Sequence, residues 1–128
     1  MRLLLDTHAF LWFVFDDRRL SGRAAGAIAQ SDTEKLLSIA SVWEIVIKAQ
    51  LGRLRLGRAT DEFLGEFVER RQVTVVPMEL AHLRAYDRLP LVHRDPFDRL
   101  LVAQAQVLGV PIATSDAEIG RYDVDVVW

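Results

Sequence analysis

The sequence predicts an α/β protein, a three-layer α/β/α sandwich around a central parallel sheet. Three observations carry that expectation. Short strand-like apolar runs recur along the chain: "RLLLD", "KLLSI", "VTVVP", "VPIAT" and "VDVVW". Segments bearing helix-start and helix-stop signals lie between them, and strands that alternate with helices pair in parallel. The chain has 128 residues, half of them hydrophobic (51%), enough for one domain with a real core and too apolar for disorder.

The elements follow in order. Arg2 to Asp6 is a short apolar run ending in an acid, which suits a buried strand. A helix follows through Phe15, and a second runs from Ser21 as N-cap to about Gln30. Lys35 to Ile39 reads as a strand. In "SVWEIVIKAQLG", Ser41 followed three residues later by Glu44 forms a capping box, and Gly52 ends the helix. The β-branched "IVI" favours strand, but the end signals and length favour helix. Thr60 opens a helix, "TDEFLGEFVERR", and Val73 to Pro77 is a strand. Met78 to Leu89 is helical. Asp95 is an N-cap, Pro96 fits the first helical position, and "LLVAQAQVLG" runs on to Gly109. Val110 to Thr114 is a strand. A short helical turn and the strand "VDVVW" close the chain.

Composition narrows the function. The formal net charge is -2, so no strong overall field advertises nucleic acid, although a local basic patch is compatible with that total. The absence of cysteine excludes disulfides, thiol catalysis and zinc–thiolate sites, and fits a cytoplasmic protein. The apolar "AFLWFVF" is far shorter than the roughly 20 residues needed to span a bilayer, and no signal-peptide cleavage pattern follows it.

Four acids draw attention by position. In an open parallel sheet, ligands bind beyond the carboxyl ends of the strands. Asp6 ends the first strand, and Asp116 lies just past "PIAT". Glu44 and Asp98 lie in the first turns of helices that leave the same edge. Each also has an ordinary structural role. Asp95 and Asp98 suit a helix start, Glu44 a capping box, Asp116 a turn and Asp6 a strand end. Convergence of the four is harder to explain structurally, since two carboxylates 4 Å apart repel by about 4 kcal/mol at an effective dielectric near 20. Such a cluster takes up protons or binds a cation. Oxygen ligands without cysteine point to Mg²⁺ or Mn²⁺, and the matching chemistry is metal-assisted hydrolysis of a phosphodiester.

Two other acid-bearing α/β designs fit poorly. A receiver domain needs a phosphoacceptor aspartate in a middle strand and a late lysine, and neither "KLLSIAS" nor "PIATSD" supplies one. A haloacid-dehalogenase-type phosphatase needs an aspartate two residues after Asp6, where His8 stands. A binding module with an idle pocket passes the same tests.

"LLLDTHAFLW", "SVWEIVIKAQLGRL", "HRDPFDRLLVAQA" and "IATSD", in that order and across essentially the whole chain, resemble the PIN domain, and more narrowly the VapC-type ribonuclease toxins of bacterial toxin–antitoxin pairs. The resemblance implies a single PIN-like nuclease domain over residues 1–128 that cleaves RNA with Mg²⁺ or Mn²⁺. It also implies a homodimer and a small antitoxin protein that occludes the site. Carried over by position, its catalytic and metal-binding acids fall on Asp6, Glu44, Asp98 and Asp116. Asp98 is preferred to Asp95 because the family's third acid directly precedes the "LLVA"-like run. Asp95 keeps its cap and a supporting place. Thr7 and Thr114 match the family's small hydroxyl positions near the metal.

Glu44 is then a candidate to orient the attacking water. His8 is expected to pack or hydrogen-bond at a helix start, and His93 to be a solvated loop residue, with contact to substrate the alternative. Arg94, Arg99 and Arg53 are candidates to meet RNA phosphates, with Lys48, Arg55 and Arg58 nearby in sequence. Trp12, Phe13 and Phe15 read as core. Together with Trp43, Val46 and Ile47 they exceed what one small core needs, which predicts an exposed apolar groove for self-association or an antitoxin helix.

Overall fold

The computed structural model describes residues 1–128. The chain alternates as expected: β1 (Arg2–Leu5), α1 (Thr7–Val14), α2 (Gly22–Ala29), β2 (Glu34–Ser38), α3 (Ile39–Gln50), α4 (Thr60–Leu64), β3 (Thr74–Val76), α5 (Leu80–Asp87), α6 (Pro96–Leu108), β4 (Ile112–Ala113) and β5 (Val126–Val127). A 3-10 turn, Ile119–Arg121, precedes β5. All pairings are parallel, in the order β3-β2-β1-β4-β5.

This order explains the layers. The chain steps outward from β1 to β2 and β3, then crosses back to β4 on the other side of β1. Right-handed crossovers put helices on opposite faces when the direction of travel reverses. Successive residues of β1 divide accordingly. Leu3 and Leu5 pack with Phe10 of α1, Ile28 of α2, Ile45 of α3 and Phe63 of α4. Leu4 packs with Ala85 of α5 and Leu101 and Val102 of α6. A strand covered on both faces needs no polar alternation, which is why "LLL" is continuous. The reversal beside β1 also makes the β1/β4 gap a topological switch point, where such sheets hold ligands.

Several boundaries differ from expectation. The N-cap of α3 is Ser38, whose side chain accepts the Ala40 N–H, and not Ser41. The helix starts at the last residue of β2 with no loop, so Ser41 falls inside its first turns, buried, and the Ser41/Glu44 capping box does not form. The helix from Thr60 keeps α-geometry only to Leu64 and then widens into a π-helical turn, Gly65–Glu69. "VPIAT" pairs only at Ile112 and Ala113. The Met78–Leu89 helix is shorter, Leu80–Asp87. The end of α6 is as read: Gly109 caps it at φ +66°, a left-handed conformation that glycine adopts without a Cβ penalty. No helix is long and apolar enough to cross a membrane.

Candidate active site

The site forms where β1, β4 and the first turns of α3 and α6 meet. Asp6 follows β1 directly, and its backbone N–H donates to the Ala113 carbonyl of β4 (3.1 Å). Its carboxylate caps α1 by accepting the Ala9 N–H at 2.7 Å. Burial pushes the Asp6 carboxyl upward in pKa. The Thr114 hydroxyl, the Ala9 N–H and His8 counter this, while the Asp116 charge adds to it. Thr114, buried at the end of β4, also accepts the Asp116 N–H at 3.0 Å. Asp116 accepts the Glu118 N–H at 2.9 Å and so shapes the turn it begins.

From the other side of the crevice, Asp95 caps α6 by accepting the Phe97 N–H at 2.8 Å, with Pro96 in the first turn. Asp98 projects from that turn. Burial and the charge of Asp95 hold its pKa up at about 7, against the pull of His93 and with Asp116 and Asp6 adding to the rise. Asp98 thus senses the other carboxylates as like charges. No lysine or arginine pairs with Asp6, Asp95, Asp98 or Asp116.

His93 does. Its Nε2 lies 2.8 Å from Asp116 Oδ2 and 3.2 Å from Asp98 Oδ2. Burial works against a second ring proton on His93, but the Asp116 hydrogen bond and the charges of Asp98, Asp116 and Asp95 outweigh it, so the ring pKa lies above its usual value. His93, Asp98 and Asp116 offer ligand-type atoms within 4.8 Å of one another. This contact corrects the expectation that His93 is a solvated loop residue. Its spacing two before the Asp95 cap was a local cue; its meeting with Asp116 is not local and left none.

Glu44 reaches the same edge by another route. Thr7 Oγ1 donates to Glu44 Oε1 at 2.7 Å and lies 3.0 Å from the Ser41 hydroxyl. Lys48 holds Glu44 Oε2 at 2.9 Å. Glu44 therefore adjoins Asp6 through Thr7, while the compact group is His93, Asp98 and Asp116.

The basic candidates divide. Arg53 and Arg94 are exposed. Arg99 is 6% exposed. It donates to the Pro90 carbonyl (2.8 Å) and the Tyr122 hydroxyl (3.3 Å), and its guanidinium stacks on Tyr86. The expectation that Arg99 meets phosphate is corrected: an arginine one turn into a buried helix is held by loop carbonyl and ring instead. His8 is exposed and lies against Trp12, as expected for a helix-start residue. Among the aromatics, Phe15 is exposed and Trp43 is 59% exposed, close to Phe97.

The donor set suits a hard divalent cation. Its carboxylates converge and lack cationic partners other than His93, and burial together with the Asp95 charge raises the Asp98 pKa to about 7. Asp6, Asp98 and Asp116 are the residues placed to hold one.

Comparisons with known proteins agree with this architecture. VapBC2 from Rickettsia felis, solved bound to a DNA fragment from its promoter, matches with TM-score 0.74 and 11% identity over 98% of this chain and 97% of that one. VapBC-1 from nontypeable Haemophilus influenzae matches with TM-score 0.66 and 15% identity, covering 98% and 96%. FitAcB from Neisseria gonorrhoeae matches with TM-score 0.67 and 18% identity, covering 97% and 95%. At these identities the likeness is one of fold. No curated protein matches the sequence. The PIN domain family model matches residues 3–125, nearly the full length, and the chain belongs to the PIN domain family.

Proposed function

We propose that the chain is a VapC-type endoribonuclease toxin, hydrolysing RNA phosphodiester bonds with Mg²⁺ or Mn²⁺ and inhibited by a cognate antitoxin. The observation that carries this is the gathering of Asp6, Asp98 and Asp116 around one crevice, where burial and like charge raise the Asp98 pKa. Residues 1–128 act as one nuclease unit in the cytoplasm.

Asp6, Asp98 and Asp116 would hold the cation, and Glu44 is tied to this edge through Thr7, the residue after Asp6. A bound Mg²⁺ or Mn²⁺ supplies Lewis acidity toward a phosphate oxygen and acidifies water. The protein's part is to fix the carboxylates beforehand. The Ala9 N–H orients Asp6, the Thr114 hydroxyl and Glu118 N–H orient Asp116, and Thr7 fixes Glu44, the candidate to orient water. Exposed Arg94 and Arg53 meet RNA phosphates. An apolar groove of about 340 Å³ between α3, α5 and α6, lined by Trp43, Met78, Leu83 and Phe97, supports association with a second copy or with an antitoxin helix.

One observation favours a second reading, a catalytically idle binding module. Both Glu44 oxygens are engaged, by Thr7 and by Lys48, which leaves that carboxylate less to offer a cation. A cleavage assay separates the two. RNA is incubated with the parent, Asp6→Asn and Asp98→Asn, with Mg²⁺ or Mn²⁺ and with EDTA. The nuclease reading expects cleavage by the parent, none in EDTA, and losses of more than about 100-fold in the variants, as several kcal/mol of charge stabilisation disappear. Equal cleavage by all three, or a parent that never cleaves, overturns it.

A further inference from the structure

His93 stands between two carboxylates that the sequence keeps 18 residues apart, Asp98 and Asp116. A histidine so placed has two possible roles. It either ligates the cation through a ring lone pair, or donates a ring N–H to residues that do. The second ring nitrogen distinguishes them. A ligating histidine binds through one nitrogen and donates the other N–H to a nearby acceptor. In this protein Nδ1 faces a donor: it accepts the backbone N–H of Asp95 at 3.0 Å. The Nδ1 lone pair is therefore occupied, and the ring proton sits on Nε2, pointing at Asp116 and Asp98. Ligation through Nε2 would require moving that proton to Nδ1, against the Asp95 N–H.

We infer that His93 is a positioning residue and not a metal ligand: its Nε2–H clamps Asp116 Oδ2, and more weakly Asp98 Oδ2, setting the separation of two cation-holding carboxylates. The inference rests on the metal-centre reading given above. The shorter contact, 2.8 Å against 3.2 Å, makes Asp116 the main acceptor.

The clamp has its own support. The His93 backbone N–H donates to the Tyr122 hydroxyl at 2.7 Å. Arg99, buried in α6, donates to that hydroxyl and to the Pro90 carbonyl, so it holds both ends of the segment that carries His93. The Asp95 carboxylate caps α6 while its N–H fixes the ring. One short segment thus sets the start of α6 and the spacing of two acids at once. Side chains whose rotamers are locked in this way preorganise a site.

The test uses the full chain and Mn²⁺ alone. Affinity is measured by titration calorimetry for the parent, His93→Ala and His93→Gln, and pulsed EPR on the Mn²⁺-loaded parent reads any directly coordinated nitrogen. Circular dichroism establishes that each variant is folded. The clamp predicts no coordinated nitrogen, a 10- to 100-fold weaker affinity in His93→Ala, and recovery of most of it in His93→Gln, whose amide N–H replaces the donor. A coordinated nitrogen overturns the assignment, and so does an alanine variant that binds as tightly as a parent that binds. If His93→Ala fails to fold, the glutamine variant and the parent spectrum decide. A folded parent that binds no Mn²⁺ defeats the metal-centre reading itself, a result distinguishable from the other two.

Discussion

Thr7 Oγ1 donates to Glu44 Oε1 across 2.7 Å, joining the residue after β1 to the first turns of α3. The bond links the first two of the four segments that carry the PIN-domain resemblance, since Thr7 directly follows Asp6. It also balances Lys48, which draws the other Glu44 oxygen along its own helix.

Thr7→Val keeps the shape and removes the hydroxyl. A part-buried hydrogen bond to a carboxylate contributes about 1.5–3 kcal/mol, and losing an orienting partner costs 10- to 100-fold in activity or metal affinity. Urea unfolding is expected to show a loss of about 2 kcal/mol, and RNA cleavage a fall of about tenfold or more. Thr7→Ser should retain most of both. Unchanged cleavage in Thr7→Val would remove Glu44 from the mechanism.

Metal-free stability should fall as pH rises from about 4 to about 7. Asp98 titrates at 3.8 when unfolded and at about 7 when folded, so between those values the folded state holds the extra proton. The stabilisation is complete below pH 4 and disappears through pH 7, and the upward shifts of Asp6 and His93 have the same sign. Asp17, lowered to about 2, acts only at lower pH and in the opposite sense. The decline is on the order of 2–4 kcal/mol, read as a drop in Tm between pH 5 and 8 in EDTA. Mn²⁺ should raise Tm at pH 8 far more than at pH 5, because it binds the deprotonated carboxylates. A flat profile in EDTA would mean that neither burial nor the neighbouring carboxylates raise the Asp98 pKa in the folded protein.

Arg99 and Arg94, five residues apart, should behave oppositely. Arg99→Met leaves the Pro90 carbonyl and the Tyr122 hydroxyl without their donor and is expected to cost about 2–3 kcal/mol in unfolding free energy. Arg94→Ala, at an exposed position, should leave stability within about 0.5 kcal/mol. It should weaken RNA binding and reduce its salt dependence by about one phosphate contact. Arg94→Ala with an unaltered salt slope would take Arg94 out of the RNA interface.

Much of this architecture was legible because it is written locally. The Asp95 cap, Pro96 and Gly109 bracket α6 by rules that act within a few residues. The continuous "LLL" of β1 is the mark of a strand covered on both faces. Ser41 misled because a capping box and a buried helical serine look alike in sequence; what separates them is that α3 begins on the last residue of β2 without a loop. Arg99 misled for a related reason, since only the fold shows that its side of α6 faces Tyr86 and Tyr122. Asp6 and Asp116 stood out in sequence as acids just past strand-like runs, and Asp98 as an acid in the first turn of a helix, positions that a parallel sheet brings to one edge. The His93–Asp116 contact left no such mark, because it depends on how two loops close over that edge.

We propose above that Asp6, Asp98 and Asp116 together hold a divalent cation. Crystals of the full chain soaked in Mn²⁺ and measured at the manganese absorption edge test it directly. An anomalous peak is expected within coordinating distance of Asp98 and Asp116, at the carboxyl edge of β1 beside Asp6. A peak elsewhere on the protein, or none at saturating Mn²⁺, would contradict it.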